Sequence, residues 1–278
     1  MKLASYLLDG EEAFGIVTDA GVITASRQAG GKYRTLREAL AAGDLDAVRR
    51  AATGTPIRLA DVTFLPLIPQ PDKIVCVGIN YRDHAAETGR AVEPQPQIFM
   101  RLTNTLIGHE GAMVRPKVSE CFDFEGELAV VIGKRGRYVP VAQALDYVAG
   151  YTCFIDGSVR DFQKHAVAAG KNFPASGPLG PWMTTADEIP DPSRMTLSTR
   201  LNGKEMQHSG LDMLINTVPQ VVAYVSTVTT LEPGDIIATG TPAGVGHKRT
   251  PPLWMKPGDT IEVEISGIGT LRNRIIAE

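Results

Sequence analysis

The segment from Asp123 to Gly133 constrains the possible folds of this chain most, because it places two carboxylates at the start of a continuous apolar run. Side chains two residues apart lie on the same side of a strand, so Glu125 and Glu127 point one way. The opposite side takes four apolar residues, Phe124, Leu128, Val130 and Ile132. A short apolar run of this kind is typical of a buried strand. We therefore expect two carboxylates to converge at one end of that strand.

Two like charges beside an apolar strand repel each other and are costly to desolvate, unless a cation neutralises them or one takes up a proton. A hard divalent ion that prefers carboxylate oxygen would solve this, with Mg²⁺ or Mn²⁺ expected and Ca²⁺ an alternative in a crystal. A third carboxylate, Asp156, follows the predicted strand GYTCFI. The alternatives are a solvated edge strand for the glutamates and, for Asp156, an N-cap of a helix that starts at Ser158.

A second constellation lies in the segment GINYRDHAAE. On a helix, His84 and Glu87 are three residues apart and share one face, where the carboxylate can fix the imidazole tautomer and raise its basicity. Such a pair can act as a general base toward water. The alternative is an ordinary surface histidine near a glutamate.

Two further residues could take part in binding or catalysis with a carbonyl substrate. Lys171 follows a glycine and could stabilise an oxyanion, although most lysines are only solvated. Thr241 lies in the glycine-rich run TGTPAGVG after a predicted strand, where backbone N–H groups could receive a substrate carboxylate. This run lacks the ending of a phosphate-binding loop, which argues against a nucleotide site. The remaining histidines show no metal-ligand spacing and are treated as background: His109, His165, His208 and His247.

The order of the predicted elements indicates a strand-rich fold with a small N-terminal unit. Hairpin turns between residues 2 and 24, helical segments from Thr35 to Gly54 and a proline-rich stretch up to Pro71 suggest a small α+β domain over 1–71 and a catalytic domain over 72–278. Strands are predicted at 126–133, 150–155, 235–240 and 259–266, and helices at 141–149, 158–168 and after Thr217. Strands and helices do not alternate strictly, which excludes a doubly wound sheet or a TIM barrel.

Composition limits the environment and the partners. A net charge of −3 provides no basic surface for nucleic acid, and no stretch approaches the 18 apolar residues of a membrane helix. Three cysteines, Cys76, Cys121 and Cys153, form no closely spaced pair. We expect a soluble cytoplasmic protein whose partners are small molecules or further copies of itself.

Seven segments, taken in chain order, resemble the fumarylacetoacetate hydrolase family over about residues 72–278: GINYRDHAAE, DFEGELAVVIGK, IDGSVRDFQ, GKNFPASGPLGPW, LNGKEMQ, LEPGDIIATGTPAGVG and KPGDTIEVEISGIGTLRN. The similarity is to acylpyruvate hydrolase-like and 2-hydroxyhepta-2,4-diene-1,7-dioate isomerase-like members. It implies a mixed β-sandwich roll, α/β in class and rich in strands, that forms a homodimer. Residues 1–70 are similar to the small N-terminal domain of longer members.

The resemblance also implies roles for particular residues. One divalent metal is held by Glu125, Glu127 and Asp156. The histidine and glutamate dyad, on a short helix that closes over ligand, falls on His84 and Glu87. The active-site lysine falls on Lys171, and the expected substrate contacts are Tyr81, Arg101, Gln163 and Thr241. Two departures concern substrate identity: IDGSVRD stands where NDVSARD is common, and Arg101 stands near a position where lysine is frequent.

The expected reaction is hydrolysis of a carbon–carbon bond in a small 2,4-diketo acid of the acylpyruvate type, which releases pyruvate or a related keto acid and a carboxylic acid. The metal would polarise the keto acid, and His84 would activate water. Decarboxylation or keto–enol isomerisation of a related keto acid, in aromatic or sugar-acid catabolism, is the alternative. A metal-stabilised scaffold without activity is the alternative from another class. The acyl group and the choice between Mg²⁺ and Mn²⁺ stay open.

Overall fold

A computed structural model describes all residues from 1 to 278. Eighteen strands and five α-helices occur. The strands are β1 (Lys2–Leu8), β2 (Glu11–Thr18), β3 (Gly21–Thr24), β4 (Thr63–Phe64), β5 (Ile74–Val77), β6 (Ile98–Arg101), β7 (Leu106–Ile107), β8 (Ala112–Arg115), β9 (Phe122–Asp123), β10 (Gly126–Ile132), β11 (Val148–Ile155), β12 (Ser158–Val159), β13 (Gly177–Thr185), β14 (Thr196–Leu201), β15 (Lys204–Gly210), β16 (Ile236–Ala238), β17 (Thr260–Ile265) and β18 (Gly269–Ala277). The helices are α1 (Leu36–Ala41), α2 (Leu45–Ala51), α3 (Arg82–Thr88), α4 (Val167–Lys171) and α5 (Val218–Val228).

Two large sheets form the body, which confirms the mixed, strand-rich fold class. The first has eleven strands, with β3-β2-β1-β13-β11-β10-β16-β5-β6 as its main path, β4 beside β1 and β7 beside β13. The second has five strands in the order β15-β14-β17-β18-β8, and β9 pairs with β12 in a small ribbon. No α-helix is long and apolar enough to cross a membrane.

Strand β10 is buried on both faces, as its apolar run predicts. Leu128, Val130 and Ile132 belong to the larger core cluster, which includes residues of the five-stranded sheet such as Leu197 and Val263. The alternate residues of β10, Ala129 and Val131, belong to a second cluster with residues of β1, α1 and β13. The central strand therefore connects both cores, and its head carries the two glutamates.

The N-terminal segment extends the first sheet directly. The hairpin turn at Asp9-Gly10 joins β1 to β2, and β1 pairs antiparallel with β13 through Lys2↔Thr184 and Leu3↔Met183. Helices α1 and α2 pack into the second core through residues that include Leu36 and Val48. The sheet thus runs across the expected boundary near residue 71, and the division into two domains stays a prediction.

One predicted helix, over 158–168, is wrong, and another, over 141–149, is present only as a shorter 3₁₀ helix. Residues 158–168 contain β12, a short 3₁₀ turn at Phe162–Lys164 and the start of α4, because Ser158 pairs with Asp123 across the ribbon. Asp156 therefore caps no helix at Ser158. Residues 141–147 form a 3₁₀ segment, and Val148 already belongs to β11. The helix after Thr217 is confirmed as α5, with a capping box between Thr217 and Gln220.

Gly126, between the two glutamates, lies against the second sheet. A Cβ atom added there would be 2.1 Å from Thr199 Oγ1 and 2.9 Å from Val263 Cγ2. Any side chain at position 126 would push the head of β10 away from the five-stranded sheet. Glycine thus permits the close packing that positions Glu125 and Glu127.

We expect Gly126→Ala to lower the free energy of unfolding by about 1–3 kcal/mol, because the added methyl overpacks this contact. Thr199→Ala removes the nearest atom, so the same glycine substitution should cost less in that background. Urea unfolding of the wild type, both single variants and the double variant measures the coupling. Equal costs of Gly126→Ala in both backgrounds would contradict the assigned clash.

Candidate active site

Pairing between β10 and β11 assembles the acidic centre. Gly126 lies opposite Ile155, and the Asp156 N–H donates to the Glu125 carbonyl at 2.8 Å. Asp156, which follows β11, is thereby placed beside the glutamates at the head of β10. Carboxyl oxygens of Glu125, Glu127 and Asp156 lie within 4.8 Å of one another, and all three residues are buried.

Three cations surround two of these carboxylates. Lys171 Nζ lies 2.6 Å from Glu125 Oε2 and 2.6 Å from Asp156 Oδ2. Arg160 Nη2 lies 2.6 Å from Glu125 Oε1, and the buried Arg101 guanidinium pairs with Asp156. Burial raises the pKa of Glu125, but Lys171 and Arg160 outweigh burial and hold that pKa far below its ordinary value.

Glu127 has no such cationic partner. Its carboxylate accepts one hydrogen bond, from the Gly240 N–H at 2.9 Å. Burial, followed by the charges of Asp156 and Glu125, raises the pKa of Glu127 well above its ordinary value. A hard divalent cation would neutralise this unpaired charge, so the donor set suits Mg²⁺ or Mn²⁺ and could hold such an ion.

The predicted dyad is formed on α3. His84 Nδ1 lies 3.0 Å from Glu87 Oε2, and Glu87 Oε1 accepts from the Gly244 N–H at 3.0 Å. An ionised carboxylate only accepts, so Nδ1 carries a proton and Nε2 is the ring nitrogen that can act as a base. His84 lines the cavity into which the acidic centre opens.

That cavity has a volume of about 240 Å³. This is below the roughly 300–1,000 Å³ typical of pockets for drug-sized ligands, so a small molecule is the expected occupant. Its polar lining brings together most of the predicted site residues, namely His84, Glu125, Glu127, Asp156, Gln163, Lys171 and Thr241.

The glycine-rich loop after β16 is used differently from the sequence-based expectation. The N–H groups of Gly240, Gly244 and Gly246 donate to carboxylates of the protein itself, Glu127, Glu87 and Asp123 respectively. Thr241 Oγ1 donates to the Gly126 carbonyl and accepts from Gln207 Nε2. These three N–H groups are therefore committed within the chain, and a substrate contact by Thr241 stays a prediction.

Two predicted substrate contacts lie outside the cavity lining. Tyr81 is completely buried in the larger core, and its hydroxyl has no hydrogen-bond partner. Arg101 lies behind Asp156 and also donates to Ser176 Oγ at 2.6 Å and to the Gly157 carbonyl. Its position allows Arg101 to orient Asp156.

Sequence reasoning missed three residues at this site: Asp123, Arg160 and His247. Asp123 is fully buried and accepts from Arg160 Nε at 2.8 Å and from His247 at 3.1 Å. Arg160 joins Asp123 to Glu125 and also donates to Gln163 Oε1. The two-residue spacing from Asp123 to Glu125 was a usable signal, whereas the histidine could be recognised only from its position in space.

The fold and the site together define an enzyme with an acidic, metal-compatible cleft. The family model described as fumarylacetoacetate (FAA) hydrolase C-terminal matches residues 73–276. The chain belongs to the fumarylacetoacetate hydrolase family, as its motifs predicted.

Three relatives show the range of this family. The chain is 40% identical over 251 residues to the mitochondrial oxaloacetate tautomerase FAHD2A of Bos taurus, covering 87% of this chain and 80% of the relative. It is 32% identical to a 2-hydroxyhepta-2,4-diene-1,7-dioate isomerase structure from Mycobacterium marinum, with a TM-score of 0.79 over 100% of this chain and 99% of that one. It is 29% identical to maleylpyruvate hydrolase of Sphingobium sp. SYK-6 in complex with manganese (II) ion and pyruvate, with a TM-score of 0.84 over 100% and 99% of the two chains.

Two glutamine substitutions, Glu127→Gln and Glu125→Gln, should have opposite effects on the stability of the metal-free protein. Glu127→Gln removes a buried carboxyl group whose ionised form has no cationic partner, so we expect a higher Tm in the presence of a chelator. Glu125→Gln removes a partner of Lys171 and Arg160, so we expect a loss of up to about 3–5 kcal/mol.

We also expect Mg²⁺ or Mn²⁺ to raise the Tm of the wild type and both glutamine variants to lose that rise, because each lacks one of the predicted ligands. Thermal unfolding with chelator and then with added metal tests both parts. A metal-induced rise that survives in both variants would contradict the proposed ligand set.

Proposed function

We propose that this chain catalyses metal-dependent enolisation of a small 2-oxo acid, with keto–enol tautomerisation of an oxaloacetate-type substrate as the leading reaction. The observation that carries the proposal is that His84, oriented by Glu87, lines the same small cavity as the three carboxylates. The 40% identity to an oxaloacetate tautomerase, over most of both chains, supports this choice of reaction.

The chain's own residues would move the proton. A divalent ion held by Glu125, Glu127 and Asp156 would act as a Lewis acid toward the 2-oxo oxygen and the adjacent carboxylate. His84 Nε2 takes a proton from C3 of the keto form, and the resulting imidazolium, stabilised by Glu87, gives that proton to the enolate oxygen; the same steps in reverse give back the keto form. Lys171, between Glu125 and Asp156, places a positive charge where negative charge develops on oxygen.

Hydrolytic carbon–carbon cleavage is the second candidate. The same dyad would then deprotonate water, which attacks the distal carbonyl of a 2,4-diketo acid. The similarity to a maleylpyruvate hydrolase that binds manganese and pyruvate favours this candidate. Sequence reasoning placed hydrolysis first; we place it second because the chain is 40% identical to the oxaloacetate tautomerase and 29% identical to the maleylpyruvate hydrolase.

The proposed substrate is a short 2-oxo acid with a second carboxylate. Oxaloacetate, maleylpyruvate and 2-hydroxyhepta-2,4-diene-1,7-dioate, which appear in the names of the three relatives, all have a carboxylate at each end. The 2-oxo end suits a divalent ion in the acidic centre. The cavity of about 240 Å³ favours a short chain between the two ends.

We also propose a homodimer that works in the cytoplasm. Strand β6 is an edge of the large sheet, and Met100 in β6 and the adjacent Leu102 are exposed apolar side chains that a second copy could cover. The three cysteines are all free, which suits a reducing compartment.

His84→Ala should lower kcat for metal-dependent oxaloacetate tautomerisation by about 10²–10⁴-fold, because it removes the positioned base. Loss of the enol absorbance, measured with chelator, Mg²⁺ or Mn²⁺, tests the expectation. An acylpyruvate panel with pyruvate detection measures hydrolysis in parallel. His208→Ala, at an exposed histidine on β15, is the matched control and should behave as the wild type.

The results separate the two candidates. Metal-dependent tautomerisation that collapses in His84→Ala supports the leading reaction, whereas pyruvate release from acylpyruvates with little tautomerisation would replace it by hydrolysis. Decarboxylation of oxaloacetate that survives the substitution would favour the decarboxylase alternative. Full tautomerase activity in His84→Ala would exclude His84 as the base.

A further inference from the structure

A second imidazole–carboxylate pair opens onto the same cavity. His247 lies in the 3₁₀ turn Gly246–Lys248, at the end of the glycine-rich loop. Its Nδ1 is 3.1 Å from Asp123 Oδ2, and its backbone N–H donates to the same oxygen at 3.1 Å. Asp123 is fully buried and also accepts from the Gly246 N–H at 2.7 Å, so the carboxylate is firmly placed.

The contacts of Asp123 fix the orientation of the His247 ring. An ionised Asp123 can only accept hydrogen bonds, so Nδ1 carries a proton and Nε2 is the free nitrogen. Nε2 makes no hydrogen bond within the chain, and the side chain is 26% exposed while lining the cavity. This nitrogen is therefore available to a ligand.

Two of the other cations that line the cavity, Lys171 and Arg160, already have acidic partners. Lys171 pairs with Glu125 and Asp156, and Arg160 pairs with Asp123 and Glu125. Arg90 also lines the cavity, has no acidic partner and is exposed, so it is the competing candidate for an anion. A second negative charge from a diacid needs a donor that is not spent on the acidic centre.

We propose that His247 determines the preference for a diacid: its Nε2, as the imidazolium N–H, donates a hydrogen bond to the substrate carboxylate remote from the 2-oxo group. The inference rests on the proposed function, because it assumes that the 2-oxo end binds at the acidic centre. Asp123 on one side and the substrate carboxylate on the other both stabilise the charged ring. His247 is thus a specificity-determining residue, distinct from the base His84.

Two amide substitutions separate the nitrogens of the His247 ring. His247→Asn keeps a donor near the position of Nδ1, facing Asp123, but removes Nε2. His247→Gln is the longer amide and can place a donor near the position of Nε2. His208→Asn, at an exposed histidine on β15, is the matched control for the asparagine substitution. Arg90→Gln tests the competing cation.

The measurement is calorimetric binding of oxaloacetate and of pyruvate to the Mg²⁺-loaded proteins, together with KM for oxaloacetate. We expect His247→Asn to weaken oxaloacetate binding by about 10- to 100-fold, the range for one hydrogen bond to a charged group. Pyruvate, which lacks the second carboxylate, should bind as it does to the wild type. His247→Gln should retain more oxaloacetate affinity than His247→Asn, and a folding defect common to both amides would not produce that difference.

Any other result contradicts either the role of His247 or the proposed function. Equal weakening of oxaloacetate and pyruvate would make His247 a residue that shapes the cavity, and loss of diacid preference only in Arg90→Gln would assign the role to Arg90. An unchanged oxaloacetate affinity in His247→Asn would reject the inference while leaving the proposed function in place. A wild type that binds neither acid would reject the proposed function itself, and the inference with it.

Discussion

Burial of several carboxylates at one end of two neighbouring strands is the constraint on which the site depends. Asp123, Glu125, Glu127 and Asp156 are all removed from water, and a buried charge is tolerated only when it is paired or hydrogen-bonded. Arg101, Arg160 and Lys171 pair with Asp123, Glu125 and Asp156, whereas Glu127 has a single backbone N–H. The surrounding residues thus supply cationic partners for three of the four carboxylates. Glu127 has none, and a divalent ion could neutralise its charge.

Much of the centre could be predicted because it depends on local periodicity. The spacing of two residues put Glu125 and Glu127 on one side of a strand, and the spacing of three put His84 beside Glu87 on a helix. Arg160 could not be found in this way, because its partners lie 35 and 37 residues earlier in the chain. The predicted helix over 158–168 was wrong for the same reason, since the pairing of Ser158 with Asp123 overrides local preference.

Tautomerisation and hydrolysis place similar demands on this scaffold. Both need a polarised 2-oxo acid and a base on the open side of the cavity, and they differ in whether the base meets a C–H bond or a water molecule. Which of the two reactions occurs therefore depends on the shape of the cavity wall and on the residues that bind the end of the substrate remote from the 2-oxo group. Relatives named as a hydrolase, an isomerase and a tautomerase are similar to this one chain, so the difference in reaction lies in the site and not in the fold.

The hydrogen bonds of the glycine-rich loop, residues 240–246, limit the insertions and deletions that this loop can accept. Surface loops usually tolerate insertions and deletions. Here the N–H groups of Gly240, Gly244 and Gly246 donate to Glu127 of the acidic centre, to Glu87 beside His84 and to the buried Asp123, respectively. A single added residue between 240 and 246 would shift the register of at least one of these bonds. We therefore expect this loop to keep its length, so that exchange of side chains, such as the one at position 247, is the route by which its properties can change.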